Sequence, residues 1–370
     1  MSNKHWVAFA AIIATTAPLP ATANNLGPVN VSTGVMMQVK NEYHAESEDK
    51  ALDETNRLAA RARLTPEIDF GGGLTVEGRI SLKPMPQAKR LNRGDDVAFG
   101  HEGVFVENLY VEYDRDAFEV KAGKINPDYG KAWDYGRGIW GEDFAEDYEI
   151  NEMIGVGTEY EFKLGALGEH EISAATFFKD TSALSDSALT SRGVTTRASG
   201  GAANTEDFSS FVAELEGAVP PVKGLEYRLG GRYLAEQAAN QGPKTAAETG
   251  ALVGATYTAT LTDTVGIDVL LEHTHINNFD GTKDDNRTYS DISVVTTLYK
   301  NWNVATSMTL RDISGAGASS VSDDMLVNLT AGYDFGNGLS LDGGYRGTNE
   351  ARLETHMFGL LLRYEGTFGR

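Results

Sequence analysis

The sequence predicts an all-β fold: a transmembrane antiparallel β-barrel of sixteen strands whose third long connection folds inward. Three observations predict it. The first is alternation, which runs through short stretches from Val29 to Phe368. Leu74, Val76, Gly78, Ile80 and Leu82 fall on one face of such a stretch, and Thr75, Glu77, Arg79, Ser81 and Lys83 on the other. Successive strand side chains point to opposite faces of a sheet, so this segment has an oily wall and a charged wall. A closed barrel with lipid outside and water inside needs that arrangement. The second observation is that long and short connections alternate, and the third is the turn chemistry of the short ones.

The first four strands are expected at 29–43, 56–70, 74–83 and 104–114, and the next four at 117–125, 152–163, 170–181 and 207–217. Four more follow at 225–236, 250–262, 265–276 and 287–300, and the last four at 302–314, 324–335, 339–347 and 351–368. The odd-to-even connections are mostly long, as at 44–55, 84–103, 126–151 and 182–206, apart from a short final loop. The even-to-odd connections are short: Gly71-Gly72-Gly73, Arg115-Asp116, Asp263-Thr264 and Gly336-Asn337-Gly338 are examples. Membrane barrels have short periplasmic turns and longer external loops, and a misplaced strand would break this parity. Gly-rich and Asn-Gly turns supply the positive φ that tight hairpins require. In the final strand Phe358, Leu360, Leu362, Tyr364 and Phe368 share the lipid face, although Gly369 and Arg370 follow the aromatic that commonly ends such chains.

Residues 1–23 read as an export signal, with Lys4 and His5 before the apolar run Val7 to Ala14 and a small-residue site at Ala21-Thr22-Ala23. The barrel domain is then 24–370. No later stretch approaches the roughly 20 continuous apolar residues of a membrane helix. The chain has no cysteine, so cross-strand ladders and packing must hold it together. The balance of 32 basic and 53 acidic residues, net −21, argues against nucleic acid as a partner. That surplus reads either as solubility of long acidic loops or as a negative potential along a pore, which would favour cations.

The connection 126–151 differs from the Ser-, Thr-, Ala- and Gly-rich stretch Ser182 to Asn204. It holds six aromatics, Tyr129, Trp133, Tyr135, Trp140, Phe144 and Tyr148. Rings gain nothing in water and much against a wall, so they are expected to anchor the segment. It also holds seven acids, Asp128, Asp134, Glu142, Asp143, Glu146, Asp147 and Glu149, against Lys131 and Arg137. The combination suits a loop folded into the barrel with carboxylates facing water.

Here the chain resembles the general porins of Gram-negative bacteria, whose third external loop narrows the channel. The matching residues are Ala122-Gly123-Lys124, Asn126-Pro127, and Asp143-Phe144-Ala145-Glu146-Asp147-Tyr148-Glu149 before Gly155-Val156-Gly157. The resemblance implies an outer-membrane location, passive diffusion of small hydrophilic solutes and ions, and commonly a homotrimer. The loop motif of the best-known enteric porins is absent, so pore size and selectivity do not carry over.

A basic wall is expected opposite the loop. Arg57, Arg61 and Arg63 share one face of the second strand, and Arg79 and Lys83 the same lumen from the third. Arg228, Arg232 and Arg346 extend the pattern. Charges on the lipid face cost about 2–4 kcal/mol at midplane, which turns these inward. Acids on the loop and arginines across from it would set a transverse field; alternatively the arginines fill space and pair with nearby acids.

Other functions find less support. His273 and His275 share a face of the eleventh strand at a spacing that could hold a metal, but no third ligand is in evidence. The acids of 142–149 could bind Ca²⁺ but lack the spaced D-x-D-x-D-G pattern. No G-x-S-x-G elbow specifies a nucleophile, so no enzyme and no cofactor are expected. The competing reading is a substrate-specific channel for phosphate, a sugar or a chelated metal, which needs a continuous arginine or aromatic track. A plugged adhesin or structural barrel would conduct nothing.

Overall fold

The structure, a computed structural model, describes residues 29–85, 91–136, 138–140, 143–237, 245–319 and 321–369. The export signal at 1–23, Arg137 and Glu142 lie outside the described residues. Sixteen strands form the wall among those residues. They are β1 Asn30–Ser47, β2 Asn56–Asp69, β3 Leu74–Pro84 and β4 Glu102–Arg115. β5 Phe118–Ile125, β6 Met153–Lys163, β7 Glu169–Lys179 and β8 Ser210–Ala218 follow. Next come β9 Leu225–Leu234, β10 Glu248–Thr262, β11 Val265–Asn277 and β12 Asn286–Leu298. The last are β13 Trp302–Ser314, β14 Ser322–Asp334, β15 Leu339–Glu350 and β16 Leu353–Gly369.

Each strand pairs antiparallel with its neighbours in sequence, and β1 also pairs with β16, from Ser32↔Gly369 to Ser47↔Thr355. The sheet therefore closes on itself, which removes its free edges. The expected alternation of long and short connections holds around the wall except for the short final loop, where Ala351-Arg352 joins β15 to β16, and strand ends moved by only a few residues. At the tight end, Gly73 has φ +88° and its Cα lies so near β4 that an added Cβ would sit 1.9 Å from the Asp114 carbonyl oxygen. Only glycine closes that turn.

The polarity of the two faces is inverted relative to a water-soluble protein. Leu271, Ile292 and Met308 stand in one row across β11, β12 and β13 and are 49%, 38% and 36% exposed. The adjacent row, Glu272, Asp291 and Thr309, faces the other way and is buried. Buried carboxylates beside bare aliphatic side chains make sense only if the medium outside is apolar. Aromatic pairs edge the apolar band near the short turns. Tyr160 stacks with Phe162 at 6.0 Å, and Trp302 meets Tyr333 edge-on at 4.9 Å. Such girdles sit at membrane interfaces.

The wall is interrupted beside β4. β5 ends at Ile125, and its pairing with β4 runs only from Arg115↔Phe118 to Leu109↔Lys124. The other half of β4, from Glu102 to Asn108, has no wall strand on that side. Two further short strands lie in loops: Asp96–Ala98 runs parallel to the start of β2, and Ala188–Leu189 pairs antiparallel with Val104 and Gly103 of β4.

Candidate functional site

Loop 3, residues 126–152, starts where β5 stops. Its two roots are pinned together by the Glu152 backbone N–H, which donates to Asn126 Oδ1 at 2.8 Å. Between them the segment lies on the polar faces of β8 to β16, and carboxylates of the wall hold its backbone. The Gly130 N–H donates to Glu214 at 2.9 Å. Glu272 accepts from the Lys131 N–H at 2.9 Å, the Ala132 N–H at 3.1 Å and the Tyr148 hydroxyl at 2.7 Å. A short 3₁₀ turn, Phe144–Tyr148, is capped by Asp143.

The rings do the packing. Tyr129, Trp140, Phe144 and Tyr148 are buried; Trp133 and Tyr135 are half-buried. Tyr129 meets Tyr148 edge-on at 6.3 Å, and Tyr148 meets Tyr289 of β12 at 5.1 Å. Phe144 lies under the Arg311 guanidinium at 3.9 Å. Trp140 sits with Ile139 and Leu361 at the far wall, between Lys40 and Arg346 at 5.9 and 4.9 Å. Gly359 permits that approach, since a Cβ there would stand 2.5 Å from the Ile139 side chain.

Three arginines expected to extend a luminal ladder belong to this seat instead. Arg228 pairs with Glu214 at 2.9 Å, and Arg232 pairs with Glu248 at 2.6 Å while donating to the Tyr148 carbonyl at 2.6 Å. Arg346 stacks on Trp140 and donates to Asn328 at 2.7 Å. Each faces away from lipid, as parity required, but loop 3 covers it.

A cavity of about 840 Å³ runs between loop 3 and the polar faces of β1–β4 and β13–β16. Arg61, Arg63, Arg79 and Lys83 line one side, and Asp134, Glu146 and Glu149 of loop 3 line another, with Trp133 beside them. Glu107, on β4, stands 3.7 Å from both Arg63 Nε and Lys83 Nζ. Burial raises the Glu149 carboxyl above the ordinary carboxylate range, against the pull of the Asn151 amide and Lys83. A raised carboxylate gains its proton earlier as pH falls. Any cation preference carried by Glu149 should therefore fade at a higher pH than an ordinary glutamate would allow. Reversal potentials across a pH series should show this in the wild type and not in Glu149→Gln; identical titrations would remove Glu149 from the ion path.

The other expected residues lie elsewhere. Asp147 turns to the wall, accepting from Tyr289 at 2.9 Å and pairing with Arg311 at 2.9 Å and Arg287 at 3.4 Å. Asp143 accepts from Asn328 at 3.2 Å, and Asp128 pairs with Lys121 at 3.4 Å. Arg57 stands opposite Glu42 in the β1–β2 ladder, outside the cavity lining. Conversely Glu107, Glu152, Asp342 and Arg363 line the cavity and were not singled out by the sequence. Their inward parity on β4, β15 and β16 was the available signal, with Glu152 at the root of loop 3. His273 and His275 lie on the exposed apolar face, where their Nδ1 atoms meet Ser290 and Thr288 at 2.9 and 2.8 Å.

This sixteen-stranded barrel is similar in fold to solved outer-membrane porins and channels. Among solved structures, OprB of Pseudomonas putida superposes with a TM-score of 0.60 at 12% identity, over 91% of this chain and 94% of its own. The outer-membrane channel DcaP of Acinetobacter baumannii gives 0.54 at 12% identity, over 94% of this chain and 100% of its own. An anion-selective porin from Comamonas acidovorans gives 0.52 at 12% identity, over 91% and 99%. At such identities the likeness is one of fold. No protein-family model matches the chain. No curated protein matches it.

Proposed function

We propose that the chain forms a water-filled outer-membrane channel for passive diffusion of small hydrophilic solutes and ions, with a weak lean towards cations. Loop 3 is then the inward-folded constriction of an external loop, and the long connections face outside. The observation that carries this reading is the cavity, whose wall opposes Arg61, Arg63, Arg79 and Lys83 to Asp134, Glu146 and Glu149. Among the described residues its lining holds eight carboxylates and five cationic side chains, which supports the cation lean. A neighbour of similar fold is described as an anion-selective porin, so the sign proposed here rests on this chain's own lining and not on the barrel.

The bare aliphatic band supports insertion in lipid, and such barrels commonly assemble as homotrimers, to be checked by light scattering in detergent. The reading makes the protein a channel and not an enzyme. The deciding experiment is single-channel conductance in a planar bilayer with reversal potentials in a salt gradient. Linear conductance with a small positive selectivity is expected. Saturation by one phosphate, sugar or chelated metal would favour a substrate-specific channel; no conductance would sink both.

A further inference from the structure

The half of β4 that β5 leaves unpaired is a gap in the wall, and the chain itself covers it. Loop 4, the connection 180–209 between β7 and β8, lays Ala188 and Leu189 against Val104 and Gly103 in antiparallel register. Ser187 Oγ donates to the Met85 sulfur at 3.4 Å, tying the same stretch to the end of β3. Arg192 then reaches into the gap. Its guanidinium stacks on Phe105 of β4 at 4.0 Å, its Nε donates to the Ser185 carbonyl at 2.7 Å, and its Nη1 donates to Glu152 at 2.7 Å.

Lys124 makes the requirement physical. On β5 it stands opposite Ile154 of β6 and two residues beyond Ala122, in the row that faces lipid elsewhere. A bare ammonium there would meet hydrocarbon, which is costly. Its side chain is instead 1% exposed, paired with Asp180 and Glu152 at 2.9 Å each and donating to the Leu184 carbonyl at 2.9 Å. Two of those three partners, Asp180 and Leu184, come from loop 4.

We propose that loop 4 is a strap that completes the barrel wall in cis: Ala188–Leu189 replaces the missing half of β5, and Arg192 anchors the strap by gripping Glu152. Because Glu152 also lines the cavity and its backbone N–H roots loop 3, the strap and the constriction share one residue. The wall is thereby sealed without help from a second copy of the chain.

The absence of native cysteine allows a direct test in the full-length folded protein. Val104→Cys with Ala188→Cys should form an intramolecular disulfide on mild oxidation, seen as a reducible mobility shift absent from either single variant. Arg192→Ala in that background should slow the cross-link about fivefold, as expected for one lost charge-assisted pair, and Arg192→Lys should restore part of the rate. Glu152→Gln should slow it to a similar degree, and the double variant should be little slower than either single one, because the two residues form one contact. No disulfide, or a rate untouched by Arg192→Ala, overturns the strap; fully additive effects overturn its anchoring through Glu152. The readout uses no current, so it stands apart from the channel reading.

Discussion

Replacing Arg61 and Arg63 together by glutamate should raise the cation-to-anion permeability ratio about eightfold, from a factor of about three for each sign of ion. The estimate treats each charge as roughly 10 Å from the ion path, worth about 0.4 kcal/mol in water. The double reversal changes four units of charge, and screening at about 0.1 M salt cuts the sum roughly e-fold, to about 0.6 kcal/mol. Both residues line the cavity, and Arg63 pairs with Glu107 at 3.7 Å, so reversal also sets a glutamate beside a glutamate. Reversal potentials in a salt gradient measure the ratio. An unchanged value would place this wall outside the conduction path and return the arginines to a space-filling role.

Glu272→Ala should detach the middle of loop 3. This one carboxylate accepts from two loop N–H groups and the Tyr148 hydroxyl, all buried or half-buried. Removing it withdraws this acceptor from three donors, and each such loss costs about 1–3 kcal/mol where it is not made good; the Tyr148 hydroxyl keeps Asp291 at 3.3 Å. A loss of about 3 kcal/mol or more in unfolding free energy is expected in detergent, with a higher and noisier single-channel conductance as the loop leaves its seat. Glu272→Gln should be milder, since the amide oxygen still accepts. If conductance stays at the wild-type level while stability falls, loop 3 is not what limits the pore.

Much of the fold was legible because a barrel writes itself in a two-residue period. The parity that put Arg61 and Arg79 opposite Leu64 and Ile80 needs no partner to be read, and the Asn126-Pro127 break marked the end of β5 to within a residue. The loop was harder. Its aromatic content announced that it packs, yet nothing local separates Asp147, drawn to the wall, from Glu146, left on the cavity. The distinction is made by Arg287 and Arg311, 140 and 164 residues further along the chain. Likewise Glu214 and Glu272 carry no local sign that they accept from loop backbone, a use that depends on where loop 3 comes to rest. The basic ladder split for the same reason. Arg228 and Arg232 obey the alternation that Arg61 obeys, and a covering loop gives them another task.

The ladder joining β1 to β16 bears on how the molecule comes into being. Ser47 Oγ and Thr355 Oγ1 meet at 2.8 Å across 308 residues of chain, so the flank of the earliest strand stays open until the latest one is delivered. Bringing such distant segments together carries a heavy entropic cost before any reward is collected, and topologies of this kind fold slowly. Until that seam is joined, two unsatisfied strand margins stand exposed to any other extended chain nearby. Maturation should therefore be nearly all-or-none, with shortened chains lacking β16 accumulating as aggregates and not as smaller cylinders.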